Sequence, residues 1–112
     1  MITIGHEYEV RDGNERLLGS VCLQQVYRGT VSGRLVPEPA FETVRGLFER
    51  HEALMSAKGS TDDSEVMESS RQIASLRVSL KNGLTGERVS AGLVFVSAQL
   101  LFSCDAEFRD ES

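Results

Sequence analysis

Two histidines, two cysteines and two tyrosines are the side chains best placed to do acid–base, metal or nucleophilic chemistry in this sequence, and the most informative of them is His51. It lies in "VRGLFERHEALM", residues 44–55. On a helix turning ~100° per residue, Leu54, Leu47, Ala40, Val44, Met55, Phe48 and Phe41 form one apolar arc, in that angular order. His51 falls near the middle of this arc, between Ala40 and Val44, while Glu42, Arg45, Glu49 and Glu52 occupy the opposite face. His6 is placed in a similar way, in the apolar phase of "MITIGHEYEV" between Ile4 and Tyr8. An imidazole in apolar surroundings tends to become neutral and to hydrogen-bond a carbonyl, hydroxyl or carboxylate. Each histidine is therefore either a satisfied core or interface group, the commoner outcome, or a group projecting into a ligand pocket. In the second case His51 and His6 would work beside Tyr8 and Tyr27.

The same residues argue against several other chemistries. His6, His51, Cys22 and Cys104 have the ligand types of a four-coordinate zinc site, but no two share a short chelating spacing, so no metal and no other cofactor is expected. Cys104, His51 and Asp105 make a nucleophile–base–acid trio on paper only, since most small domains offer one. Gly-x-Gly-x-x-Gly, the phosphate-binding Gly-x-x-x-x-Gly-Lys-Ser/Thr, Gly-x-Ser-x-Gly and His-Glu-x-x-His are all absent. No catalytic residue is assigned, and the balance favours a non-enzyme. Arg28, Thr30, Ser32 and Arg34 would form an anion platform if they share one exposed sheet face. An ordinary wet surface is the simpler reading, as it is for Arg11 and Arg16 around the turn in "RDGNER".

These residues must be positioned by short antiparallel strands and a helix. Residues 2–11 alternate as a half-buried strand, and Asp12-Gly13-Asn14 supplies a turn. From Leu17 to Val36 the apolar set is Leu17, Val21, Leu23, Tyr27, Val31 and Leu35. Twenty residues at ~3.3 Å each would span on the order of 66 Å, too long for so small a domain, so Gly29 and Gly33 are expected to mark a bend, bulge or second hairpin. Pro37-Glu38-Pro39 opens the helix, and Lys58 and Gly59 close it. The acidic, serine-rich "STDDSEVMESSRQ", residues 60–72, reads as a mobile loop with at most one short helix begun at Asp62 or Asp63. "ASLRVSLK" follows as a strand with Ala74, Leu76, Val78 and Leu80 inward. Residues 87–108 run extended, but their apolar phase switches near 93–97, which calls for a bulge or a tight reversal at Ser97-Ala98-Gln99.

The expected architecture is α+β: an antiparallel sheet of about four to six strands with one main helix on one face, in the order β-β-α-β-β, long strands bent or divided. The 112 residues make one domain ending in a short acidic tail. A chain that is 40% hydrophobic without an apolar run of ~18 residues is not a membrane protein. The absence of a leader pattern points to the cytoplasm. A net charge of −5 argues against nucleic acid, which needs a positive field. Ten arginines against two lysines reflect source-genome composition more simply than anion recognition. One helix cannot cover both faces of such a sheet, and Phe95 and Leu101 point away from the inward set of a continuous strand. Either the sheet curls around its own core or a second copy of the chain covers the remainder, the homodimer being favoured. The favoured function is a non-enzymatic protein-interaction or regulatory module. The alternative is a small-molecule binder or enzyme whose pocket between sheet and helix centres on His51.

Overall fold

The computed structural model describes residues 2–56, 63–106 and 108–109, with the backbone alone described at Asp63, Phe108 and Arg109. Its strands are β1 (Ile2–Thr3), β2 (Glu7–Arg11), β3 (Leu17–Tyr27), β4 (Thr30–Pro37), β5 (Ser79–Asn82), β6 (Arg88–Ser90), β7 (Gly92–Val96), β8 (Leu101–Asp105) and β9 (Phe108–Arg109). A 3₁₀ turn, Pro39–Phe41, leads into helix α1 (Glu42–Ser56), and α2 (Asp63–Ala74) follows.

Local chemistry accounts for most of these boundaries. The first extended segment is broken at Gly5, whose φ of 94° only glycine adopts readily. β2 then alternates, with Tyr8 and Val10 buried. In the β2–β3 turn the Asp12 carboxylate accepts hydrogen bonds from the Asn14 N–H (2.9 Å), the Arg16 N–H (3.0 Å) and Arg16 Nε (2.7 Å), closing the loop around a buried charge. β3 and β4 are the divided long strand, reversed at Arg28-Gly29, where φ is 51° and 83° and Tyr27 pairs with Thr30. That is the two-residue hairpin whose twist suits its strands. Gly33 faces a bulge between Leu23 and Gln25; a Cβ there would lie 2.0 Å from the Cys22 carbonyl oxygen, so no larger residue fits.

Seven strands form one sheet in the order β6-β5-β2-β3-β4-β8-β7, every neighbouring pair antiparallel. Counting reversals across it gives β6 and β7 the same direction. They lie at opposite edges, yet only Ala91 separates them in sequence. The sheet therefore curls until both edges are served by one continuous stretch, residues 88–96, whose first part pairs with β5 and whose second part pairs with β8. Tyr8, Val21, Leu23, Val31, Leu80, Phe102 and Cys104, none more than 1% exposed, form the inward core. A separate parallel pair, β1 with β9, joins Ile2 to Phe108. The Thr3 N–H donates to Tyr8 Oη at 2.8 Å, tying β1 to the core.

The α+β class and the antiparallel sheet agree with the sequence reading, but the layout differs from it. Among the described residues there are seven strands in the main sheet rather than four to six, and two helices rather than one helix on one face. "ASLRVSLK" is not one strand: Ala74 ends α2, Arg77 has φ 53°, and β5 begins at Ser79. Residues 60–62 of the predicted loop lie outside the described residues, as do the predicted helix stop at Lys58-Gly59 and part of the acidic tail. Residues 63–72 are helical. The switch in phase within 87–108 has both anticipated features. An extra residue between Gly92 and Phe95, with Leu93 at φ 48°, turns the inward set over to Val94 and Val96, and Ser97–Leu100 reverses the chain. No described helix is long and apolar enough to cross a membrane.

Candidate functional site

Helices α1 and α2 pack against each other and both contact β7. α1 is fixed at its far end by Glu52, whose two carboxylate oxygens each accept from the Ala98 N–H at 3.2 Å, so the helix is pinned to the turn after β7. Val44, Phe48 and His51 are its buried residues. The helical spacing thus puts His51 in the interior, 8% exposed, as the wheel requires.

Between the two helices and β7 lies a cavity of about 520 Å³. That volume is within the roughly 300–1,000 Å³ usual for small-molecule sites. α1 contributes His51 and Met55, and α2 contributes Val66, Ser70 and Ile73. Leu93, Val94 and Phe95 supply the opposite wall, and Arg77 enters from the connection between α2 and β5. The lining is therefore mainly aliphatic and aromatic, with few polar groups. Leu93 (80% exposed) and Met55 (59%) carry the apolar surface out to solvent.

The hydrogen bonds around His51 orient its ring. Ser69, 2% exposed, donates its only hydroxyl proton to the Val66 carbonyl oxygen at 2.9 Å. His51 Nδ1 lies 2.8 Å from the same Ser69 Oγ. Ser69 could instead give that proton to Nδ1, which would place the ring proton on Nε2; with the proton on the Val66 carbonyl, Nδ1 is the donor. A neutral ring then carries its lone pair on Nε2. No described residue hydrogen-bonds Nε2, and no fully buried side-chain nitrogen or oxygen among the described residues lacks a partner, so Nε2 retains access to open space. Burial also pushes the His51 pKa below its ordinary 6.5, which favours the neutral ring at neutral pH. Phe95 packs edge-on against the imidazole with centroids 6.0 Å apart. The arrangement is a rigid hydrogen-bond acceptor in an apolar wall. With its proton on the Val66 carbonyl, Ser69 is not activated as a nucleophile, because the hydroxyl donates away from the ring.

Of the candidate ligand-binding residues, only His51 lines this cavity. His6 sits before β2 and accepts at Nδ1 from the Asn82 side-chain amide, 3.0 Å away. The amide orientation is set because Asn82 Oδ1 already accepts from the Leu84 and Thr85 N–H groups. Tyr8 is in the core and Tyr27, 71% exposed, is at the tip of the β3–β4 hairpin with Arg28 stacked over its ring. Thr30, Ser32 and Arg34 do share the outer face of β4, but a carboxylate is already there: Thr30 Oγ1 donates to Asp105 Oδ1 at 2.8 Å. Among the described residues no three His, Cys, Asp or Glu side chains converge to hold a metal ion. The Cys104 thiol is pushed up to about 12, mainly by burial and further by Asp105, and stays protonated.

Ser69, Ser70, Arg77 and Leu93 are the site residues that sequence reasoning missed. The serines carry no apolar periodicity, and Arg77 reads as an outward strand residue. The phase switch near Leu93 was the one available signal. Comparison with protein-family models, curated proteins and solved structures returns no match, so the site has to be read from its own chemistry.

Proposed function

We propose that the protein binds a small, largely apolar molecule in the cavity between α1, α2 and β7, with His51 Nε2 as the acceptor that orients it. The observation that carries this reading is an imidazole held at Nδ1 by Ser69, with no described hydrogen-bond partner on Nε2, in a residue that lines a 520 Å³ apolar cavity. A purely structural histidine would be expected to have both ring nitrogens engaged or one of them in bulk water. The ligand supplies the missing donor and buries apolar surface on Ile73, Val94 and Phe95, which drives association. The test is titration with butylphenol followed by backbone NMR. Saturable shifts centred on Val66, Ile73 and Leu93–Phe95, reduced in a folded His51→Leu variant, are expected; unperturbed cavity amides at millimolar probe would refute the reading.

A second reading, protein interaction and in particular homodimerisation, is favoured by one observation. Val36 (63% exposed) and Leu101 (51%) flank Arg34 on the outer face of β4 and β8. The original motive for a dimer was an apolar sheet face beyond the reach of one helix, and the curled sheet with two helices leaves less of it to cover. Sedimentation at micromolar concentration tests this reading, which a clean monomer would remove.

A further inference from the structure

The cavity holds a second polar feature that points to the chemical class of its ligand. Arg77 lines the wall and has no carboxylate partner among the described residues. The chain has more acids than bases, 17 against 12. Arg11, Arg16, Arg45, Arg71 and Arg88 are each paired, with Glu9, Asp12, Glu42, Glu68 and Glu15. Arg28 lies over Tyr27, and Arg50 bonds Gln72. Arg34 also has no described carboxylate partner, but it stands on the open outer sheet face rather than at a cavity.

Arg77 is an exposed residue whose backbone and stem are held in place. Its φ of 53° is left-handed, a conformation that non-glycine residues adopt at an energetic cost. Its stem lies against Gly13, where a Cβ would come within 3.0 Å of Arg77 Cβ and 3.2 Å of its Cδ. The Gly13 N–H donates to the Leu76 carbonyl at 2.7 Å, so the β2–β3 turn buttresses the preceding peptide. Of the five left-handed non-glycine residues described, Arg77 and Leu93 are the two that line the cavity. Backbone strain of this kind tends to persist where a site requires a particular side-chain placement.

Resting on the small-molecule reading above, we infer that the ligand is a hydroxylated aromatic carboxylate, its carboxylate gripped by Arg77 and its phenolic hydroxyl donated to His51 Nε2. Arginine matches a carboxylate with two parallel N–H donors. A neutral imidazole lone pair selects a donor and would repel a second anionic group, so the two ends of the ligand must differ. A phenol meets the requirement at His51, and the aromatic body fills the apolar space between Ile73 and Phe95.

Three matched probes test the inference on the intact chain by calorimetry near neutral pH: hydroxyphenylbutanoate, phenylbutanoate and butylphenol. Hydroxyphenylbutanoate should bind at least about tenfold more tightly than either probe lacking one polar end, the scale of one charged or buried hydrogen bond. Arg77→Met should abolish its advantage over butylphenol. His51→Leu should abolish its advantage over phenylbutanoate. Equal affinities of the three probes for the native chain would overturn the inference and need no variant to fold. Butylphenol binding at the cavity without any gain from the carboxylate would overturn the inference while sparing the binding reading beneath it. Failure of all three probes to bind would defeat both.

Discussion

Replacing Ser69 with alanine removes one oxygen that serves two partners. The Val66 carbonyl loses a side-chain donor but keeps the place in the helix ladder that its position in α2 gives it. His51 Nδ1–H loses its only described acceptor in a setting where the residue is 8% exposed. A buried donor left unsatisfied costs about 1–3 kcal/mol, and the neighbouring cavity, which can admit water, should hold the cost near the lower half of that range. His51→Leu should be milder, within about 1 kcal/mol, since Ser69 keeps its bond to Val66 and the leucine joins an apolar arc. The two changes should not add. Once the imidazole is gone, Ser69→Ala has no donor to orphan, so the double-mutant cycle should return a coupling of about 1 kcal/mol or more. Urea denaturation with unchanged m-values reads all three variants. A Ser69→Ala effect within about 0.5 kcal/mol of the parent, or strict additivity, would refute the hydrogen-bond assignment around His51.

Other expected outcomes follow from the same geometry. Gly33→Ala should destabilise by several kcal/mol or prevent folding, because its Cβ would meet the Cys22 carbonyl oxygen at 2.0 Å; the denaturation midpoint checks it, and a neutral result would contradict the close approach of β3 and β4. Stability should fall as pH drops from about 6.5 toward the lowered pKa of His51, since the unfolded chain takes up a proton there that the folded ring resists. That slope should shrink in His51→Leu; an identical slope would show that the histidine is not the source. At lower pH, burial works against the Asp12 charge, but its bonds from Arg16 and Asn14 win and hold the carboxyl below its ordinary 3.8. Its contribution is complete above that value and is lost as pH falls through the lowered one, so Asp12→Asn should flatten the acid limb of the same curve. A thiol reagent should label Cys22 in the native protein and reach Cys104 only on unfolding, while rapid native labelling of both would contradict the buried β8 core.

The features readable in the sequence were those set by neighbours along the chain. Asp12-Gly13-Asn14, Arg28-Gly29 and Ser97-Ala98-Gln99 each carry their own turn chemistry, and the 3.6-residue spacing of α1 places His51 inward without reference to any other element. α2 was legible only as a short helix begun at Asp62 or Asp63 within a loop, because its buried face is built around Ser69 and Ile73. The serine is buried through bonds to His51 and to Val66 in its own helix, so hydrophobic spacing does not register it. The curl of the sheet was legible only as one of two ways to cover its second face. It depends on β5 pairing with β2 and β8 with β4, contacts between segments some 70 residues apart that no local pattern encodes. His51 was found and its partner was not, because a histidine in an apolar arc is conspicuous and a serine in a polar stretch is not.

The account stands or falls on His51 Nε2 as an acceptor facing the cavity, and a long-range nitrogen–proton correlation spectrum of the imidazole observes that atom directly. In the free protein at neutral pH it should show a protonated Nδ1 and an unprotonated Nε2. Saturating butylphenol should shift Nε2 toward the hydrogen-bonded range while Nδ1 keeps its proton. A ring protonated at Nε2, or one indifferent to a probe that binds elsewhere, would contradict the account.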